Sequence, residues 1–216
     1  MDKIKKLLLG NKSWAQECLA DDPDFFKRLA DVQQPEFLWI SCSDSRVSAD
    51  TVTNTRPGEI FVHRNVANMV VPTDFNLLTV LEYAVHYLHV KHIVVCGHYG
   101  CGGVKAAMTK ESYGLINAWL HNIKDVRAQH EQELLTLTDP QSRFDRLVEL
   151  NVCAQTWNLA RTWSVQSAWA KRQAPDLHGW VYDIRTGQLK PLLHLPAGSQ
   201  VGDHYQFDAP QNLIPS

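Results

Sequence analysis

Long apolar runs are missing from this sequence, and so is any run of lysine and arginine. A bilayer-spanning helix needs about 20 consecutive apolar residues, so no segment is expected to cross a membrane as a helix. A formal net charge of -2 and a pI near 6.5 leave no electrostatic footprint for a nucleic-acid partner. The opening "MDKIKKLLLG" sets basic residues before three leucines, a stretch too short for a signal peptide. The cytoplasm is therefore the expected compartment, where the five cysteines stay reduced and serve metal binding or packing rather than disulfides. Internal repeats are absent as well. What is there, 44% hydrophobic and 20% charged residues over 216 positions, predicts a single globular domain.

The patterning predicts an α/β fold. "SWAQECLADDPDFFKRLADV" predicts two short helices, the second capped by Asp22 with Pro23 at its first position, and residues 1–34 form an N-terminal arm. The core, 35–196, opens on "EFLWISC", a fully buried strand, followed by "GEIFVHR" after a turn at Pro57 and Gly58. Leu77, Leu78, Leu81, Ala84, Val85 and Leu88 fall on one stripe of a helix over 76–88. "HIVVCGH" is the third strand, helices follow over about 113–130 and 141–172, and "LHGWVYD" with "LKPLLHL" closes the core as a strand or hairpin. Strands separated by helices imply a mainly parallel central sheet flanked by helices. Residues 197–216 read as an irregular, loosely docked tail.

Two short stretches carry the chemistry. "WISCSDSR" ends an apolar run on Cys42 and places Asp44 and Arg46 at alternate positions, which in an extended segment puts a thiol, a carboxylate and a guanidinium on one face. "CGHYGCGG" gives His98 and Cys101 an H-x-x-C spacing among glycines that permit a sharp turn. Cys101 then begins the next helix, whose dipole favours the thiolate that binds metal. His-x-x-C alone is a weak signal. With Cys42 it makes a set of two cysteines and one histidine, a known zinc combination that leaves a fourth position open. In a doubly wound sheet the first and third strands can be neighbours at the switch point, which would bring the two stretches together.

Cys-x-Asp-x-Arg followed by His-x-x-Cys is the zinc signature of the β-class carbonic anhydrases, and the sequence resembles that family from about Trp14 to Asp183. "CSDSRV", "PGEIFVHRNVAN", "CGHYGCGG", "GLIN" and "HGWVYD" occur in the family's order. Ser41 and Ser48 depart from the Gly and Pro that relatives often carry there. The resemblance implies one zinc per chain, held by Cys42, His98 and Cys101, and reversible hydration of carbon dioxide by a zinc-bound hydroxide. A bound-water pKa of about 7 belongs to the unrelated three-histidine carbonic anhydrases. Two thiolates cancel more of the metal's charge, so activity is expected at more alkaline pH. Asp44 either takes the fourth zinc position or is held away by Arg46, and the resemblance implies both states. It also implies a substrate pocket lined by Gln33 from a partner chain with Phe61 and Tyr83, and a homodimer assembling to a homotetramer. Trp39, Arg64 and Tyr182 match a second bicarbonate pocket found in a regulated subgroup, and the expected source type is bacterial.

Other functions remain open on the same residues: a closed structural zinc module, a bicarbonate sensor, or a hydrolase of carbon disulfide or carbonyl sulfide. A simple ion pair is the plainer alternative for Asp44 and Arg46, core packing for Phe61, Tyr83 and Trp39, an ordinary strand position for Tyr182 and an ordinary ion-pair role for Arg64. Cys18, Cys96 and Cys153 read as packing residues. His63, His86, His89 and His92 lack metal spacing to the site and read as surface or satisfied polar groups, and His178 is left unassigned.

Overall fold

The computed structural model describes residues 2–208. The chain divides into two compact units, one ending at Gln34 and the other beginning at Pro35. The first holds helices α1 (Lys3–Asp21) and α2 (Phe25–Asp31). Trp14 packs edge-on against Phe25 and Phe26, at 6.4 and 5.6 Å between ring centroids. Asp22 does not cap α2 as expected. It closes α1, its carboxylate accepts the Asp24 N–H, and Arg28 pairs with it, so Pro23 lies in the link between helices.

The second unit is built on strands β1 (Phe37–Cys42), β2 (Ile60–Asn65), β3 (His92–His98), β4 (Asp176–Asp183) and β5 (Gln188–Leu195), in the order β2-β1-β3-β4-β5. β1 pairs in parallel with β2 on one side and β3 on the other, so the chain switches direction of winding between β1 and β3. β4 continues the parallel sheet and β5 turns back antiparallel beside it. Helices α3 (Ala49–Thr53), α4 (Phe75–Glu82), α5 (Gly102–Ala107), α6 (Ile116–Gln129), α7 (Glu131–Thr136), α8 (Pro140–Ala160) and α9 (Trp163–Arg172) complete it. The sheet's larger apolar face carries Leu38, Ile40, Ile93, Val95, Leu177 and Val181 in the main core, and Trp39, Val94 and Cys96 form a smaller cluster on the other. α8 lies close over β3 and β4. A Cβ at Gly97 would come within 2.5 Å of Val152, and one at Gly179 within 2.8 Å of Thr156.

The expected helices break where local chemistry intervenes. The 76–88 segment leaves α-geometry after Glu82 for a π-turn over Tyr83–Tyr87, with Leu88 N–H donating to the Tyr83 carbonyl. The expected 141–172 helix ends at Ala160, and Thr162 caps a new helix by accepting the Val165 N–H. The 113–130 helix starts at Ile116 and hands over to α7. The tail is irregular but held: Gln166 donates to the Tyr205 carbonyl and accepts the Phe207 N–H, and Arg161 lies over the Tyr205 ring at 4.2 Å. The remainder of the expected tail, 209–216, falls outside the described residues.

Candidate active site

Cys42 ends β1, His98 ends the neighbouring β3, and Cys101 stands at the first boundary of α5, so the switch point gathers all three. Gly100, at φ +76°, makes the reversal between His98 and Cys101. All three are buried, with ligand atoms within 4.8 Å of one another. The two sulfurs are 4.0 Å apart, near the edge of about 3.8 Å that two thiolates make around a tetrahedral zinc with bonds of about 2.3 Å. The His98 ring is fixed from behind. Its Nδ1 lies 3.0 Å from the Tyr99 carbonyl oxygen, which as an acceptor selects the Nδ1–H tautomer and leaves the Nε2 lone pair free. Nε2 is buried and has no hydrogen-bond partner among the described residues. An orphaned imidazole nitrogen beside two thiols is costly unless something binds it, and one zinc ion fits this donor set.

The sulfurs titrate as a pair. Cys42 is drawn down first by a hydrogen bond from Cys101, against the effect of burial, and then by the neighbouring His98 ring and the backbone amides of Ala67 and Asp44. Cys101 is pushed up by Cys42 and by burial. One thiolate is therefore ready for metal, and a bound cation supplies what the second needs. Cys96 points to the opposite face, where burial pushes its thiol up to about 12, the inert state of a packing cysteine.

Asp44 and Arg46 meet, but not as alternate residues of a strand. β1 stops at Cys42, and residues 44–47 form a turn closed by the Val47 N–H donating to the Asp44 carbonyl. Asp44 Oδ1 accepts the Arg46 backbone N–H at 3.0 Å and Nε at 2.9 Å, while Oδ2 accepts Nη2 at 2.7 Å. These bonds hold the Asp44 carboxyl far below the usual carboxylate range. Asp44 Oδ2 also stands 3.7 Å from His98 Nε2. Arg64, from β2, grips the same segment by its backbone, donating to the Cys42 carbonyl at 2.9 Å and the Asp44 carbonyl at 2.6 Å.

With this geometry in view, similarity to known proteins is decisive. The carbonic anhydrase family profile matches residues 37–189. The chain belongs to the β-class carbonic anhydrases. It is 47% identical over 187 residues to a carbonic anhydrase of Emericella nidulans, covering 87% of this chain and 82% of that one. A carbonic anhydrase of Pseudomonas aeruginosa is 39% identical over 176 residues, covering 77% of each chain. A tetrameric β-carbonic anhydrase of Sordaria macrospora superposes with a TM-score of 0.85 at 42% identity, covering 89% of this chain and 98% of that one. A Coccomyxa β-carbonic anhydrase bound to acetazolamide gives 0.87 at 41%, covering 91% and 90%. Fungal and bacterial relatives both appear, so the resemblance is to the β class as a whole.

The remaining expected residues fall in three places. Phe61 and Tyr83 meet each other, with ring centroids 5.9 Å apart. Tyr83 lines a cavity of about 1040 Å³ with Phe75, Leu78 and Trp163, a cavity that includes none of the cysteine and histidine donors. Gln33 is exposed in the N-terminal unit. Trp39 and Tyr182 pack on the smaller apolar cluster, and Arg64 spends donors on the Cys42 and Asp44 carbonyls. Trp39 Nε1 and Ser41 Oγ are buried without a hydrogen-bond partner among the described residues.

The "PGEIFVHRNVAN" stretch runs into the loop after β2, whose conformation nothing in the sequence announces. Ala67 and Asn68 adopt φ of 66° and 50°, unusual for residues with a side chain. α8 holds them so: Asn151 donates to the Ala67 carbonyl, and Gln155 accepts the Val70 N–H. Asn65 ties the base of the loop through both Met69 backbone groups. The strained turn aims the Ala67 amide at the Cys42 sulfur, and it lies so close to Gly103 that a Cβ there would come within 3.0 Å of Val66 Cγ1 and 3.1 Å of the Ala67 Cβ.

Proposed function

We propose that the chain is a zinc-dependent carbonic anhydrase that interconverts carbon dioxide with bicarbonate and a proton. The observation that carries this is the unsatisfied His98 Nε2, buried within 4.8 Å of two sulfurs that are themselves 4.0 Å apart, and beside a carboxylate paired with Arg46. Cys42, His98 and Cys101 would hold zinc, which would supply the Lewis acidity that makes water a nucleophile at moderate pH. Asp44, kept ionised by Arg46, accepts a hydrogen bond from the attacking water and turns its lone pair towards the carbon. Arg46 also holds Asp44 in its paired position, and release of that pair would free the carboxylate to reach the metal and block water. Arg64 sets the position of Asp44 by holding the backbone on either side of Ser43. Phe61 and Tyr83 supply an apolar wall suited to a nonpolar gas, and Gln33 of a second copy supplies an amide to orient it. A crossing arm is supported by α1, none of whose residues is buried and whose Ile4, Leu7 and Leu8 are all exposed. The assembly is a homodimer that pairs into a tetramer. The reaction needs both thiols reduced, which suits the cytoplasm.

The test is metal analysis together with carbon dioxide hydration by stopped flow over about pH 7 to 9. One zinc per chain and a rate that climbs on the alkaline side are expected. Bound zinc with no turnover at any pH would make the site structural. A finer assignment, to the bicarbonate-regulated subgroup, draws support from the orphaned Trp39 Nε1 and Ser41 Oγ beside β2, where Arg64 lies across from Ser41. An anion drawn to Arg64 would compete with the Asp44 carbonyl for its donors and loosen the Asp44 turn. Cooperative bicarbonate inhibition near pH 8 is expected, and Arg64→Ala should abolish the cooperativity. Purely competitive inhibition in both proteins would remove the regulatory pocket.

A further inference from the structure

The far end of the sheet holds a second cluster of metal-binding side chains that the hydration chemistry does not use. His92 opens β3 directly across from Asp176, which opens β4, and His178 follows on β4 opposite His194 of β5. No sequence spacing advertises this group, because strand register assembles it. The ligand atoms of His92, Asp176 and His178 lie within 4.8 Å of one another. His178 Nε2 and His92 Nδ1 share a hydrogen bond at 3.3 Å, a separation that also matches the edge of about 3.3 Å that two imidazole nitrogens make around a tetrahedral ion with bonds of about 2.0–2.1 Å, so an ion would take the place of the shared proton.

We propose that His92, Asp176 and His178 form a second site for a divalent transition metal, with zinc as its occupant. Two imidazoles and a carboxylate are a donor set for zinc rather than for calcium or magnesium, which take oxygen ligands. The supporting contacts are those of a built site. Asp176 Oδ1 accepts the Ala197 N–H at 2.9 Å, and His194 Nε2 lies 3.4 Å from Oδ2, so the carboxylate is oriented from behind. The His194 ring stacks on His178 at 4.8 Å and 2°, and Phe37 stacks on His92 at 5.4 Å, which fixes both imidazoles. All three residues are half-buried, leaving the ion a path from solvent. His98 lies at the other end of β3, about 20 Å away at roughly 3.3 Å per residue, so the two sites load independently. A metal here ties β3 to β4 and stabilises the folded chain through binding alone.

The test uses the enzyme already carrying one zinc per chain, titrated with further Zn²⁺ by calorimetry and followed by thermal unfolding. One additional equivalent per chain is expected, with an unfolding midpoint that rises as it binds. His178→Ala should remove that equivalent, and Asp176→Asn, which keeps an acceptor for the Ala197 N–H, should weaken it by at least about tenfold. Both variants should retain the first zinc and wild-type hydration rates. If His178→Ala fails to fold, Asp176→Asn decides the matter. Absence of a further equivalent at millimolar zinc overturns the proposal, as does one that persists undiminished in Asp176→Asn, since zinc would then be binding scattered surface histidines.

Discussion

The two ends of β3 carry the same residue type in opposite circumstances. His98 is buried, its Nδ1 is fixed by a backbone carbonyl, and its Nε2 faces two thiols. His92 is half-buried, faces another imidazole and a carboxylate, and is steadied by ring stacking. Burial and anionic sulfur make the first a site that holds metal tightly, with the surrounding turns committed to it. The second is built from neutral nitrogens and one carboxylate near solvent, which favours weaker, exchangeable binding. What separates a reaction centre from an ion site on this sheet is the supporting structure: Asp44, Arg46, Arg64 and the Ala67 loop converge on one end alone.

Breaking the tight end should have the largest effect. Cys42→Ser replaces a thiolate with a poor ligand, and zinc content measured by mass spectrometry should fall well below one per chain, with hydration reduced to background. Next comes Arg46→Ala, which leaves the three donors in place but frees Asp44. Zinc content should hold while the hydration rate drops by on the order of 10–100-fold. Unchanged rates at every pH would mean that the pair is merely structural.

The scaffold between the two ends predicts smaller losses. Gly97→Ala forces a Cβ against Val152, and denaturant unfolding should show destabilisation of about 1–3 kcal/mol. Glu149 offers a pH signature. Burial alone would raise its pKa, but Lys190, Tyr99 and Arg146 outweigh that and lower it below its ordinary 4.5. A depressed carboxyl stabilises the fold fully above its unfolded pKa, and that contribution is lost as pH falls through the folded value. Glu149→Gln should therefore cost roughly 1 kcal/mol or less at neutral pH and lose less stability than wild type between about pH 5 and 3. Equal acid sensitivity in the two proteins would remove Glu149 from the account. The smallest effect belongs to the loose end, where His178→Ala should leave hydration unchanged.

How legible all this was depended on where the information lies. Cys42, His98 and Cys101 could be read because residue type and short spacing survive in one dimension, and the parallel neighbours β1 and β3 followed from strands separated by helices. The Asp44 and Arg46 partnership was legible, but its form was not: an aspartate that accepts the backbone N–H two residues on makes a turn, and this outweighed the alternation expected of a strand. The left-handed Ala67 and Asn68 could not be foreseen, because Asn151 and Gln155 of a distant helix impose them. His92 has no spacing in the sequence that links it to other polar groups, because the residues beside it come from β4 by register. The helix break before Thr162 is a local capping choice that a continuous apolar pattern conceals.

The central claim is that the buried end of β3 holds zinc through two sulfurs and one imidazole nitrogen. X-ray absorption at the zinc edge, on protein carrying one zinc per chain, tests it most directly. The account predicts two sulfur scatterers at about 2.3 Å and one imidazole nitrogen at about 2.0–2.1 Å, with a light atom completing the shell. A shell of nitrogen and oxygen without sulfur, or one of four sulfurs, would contradict it.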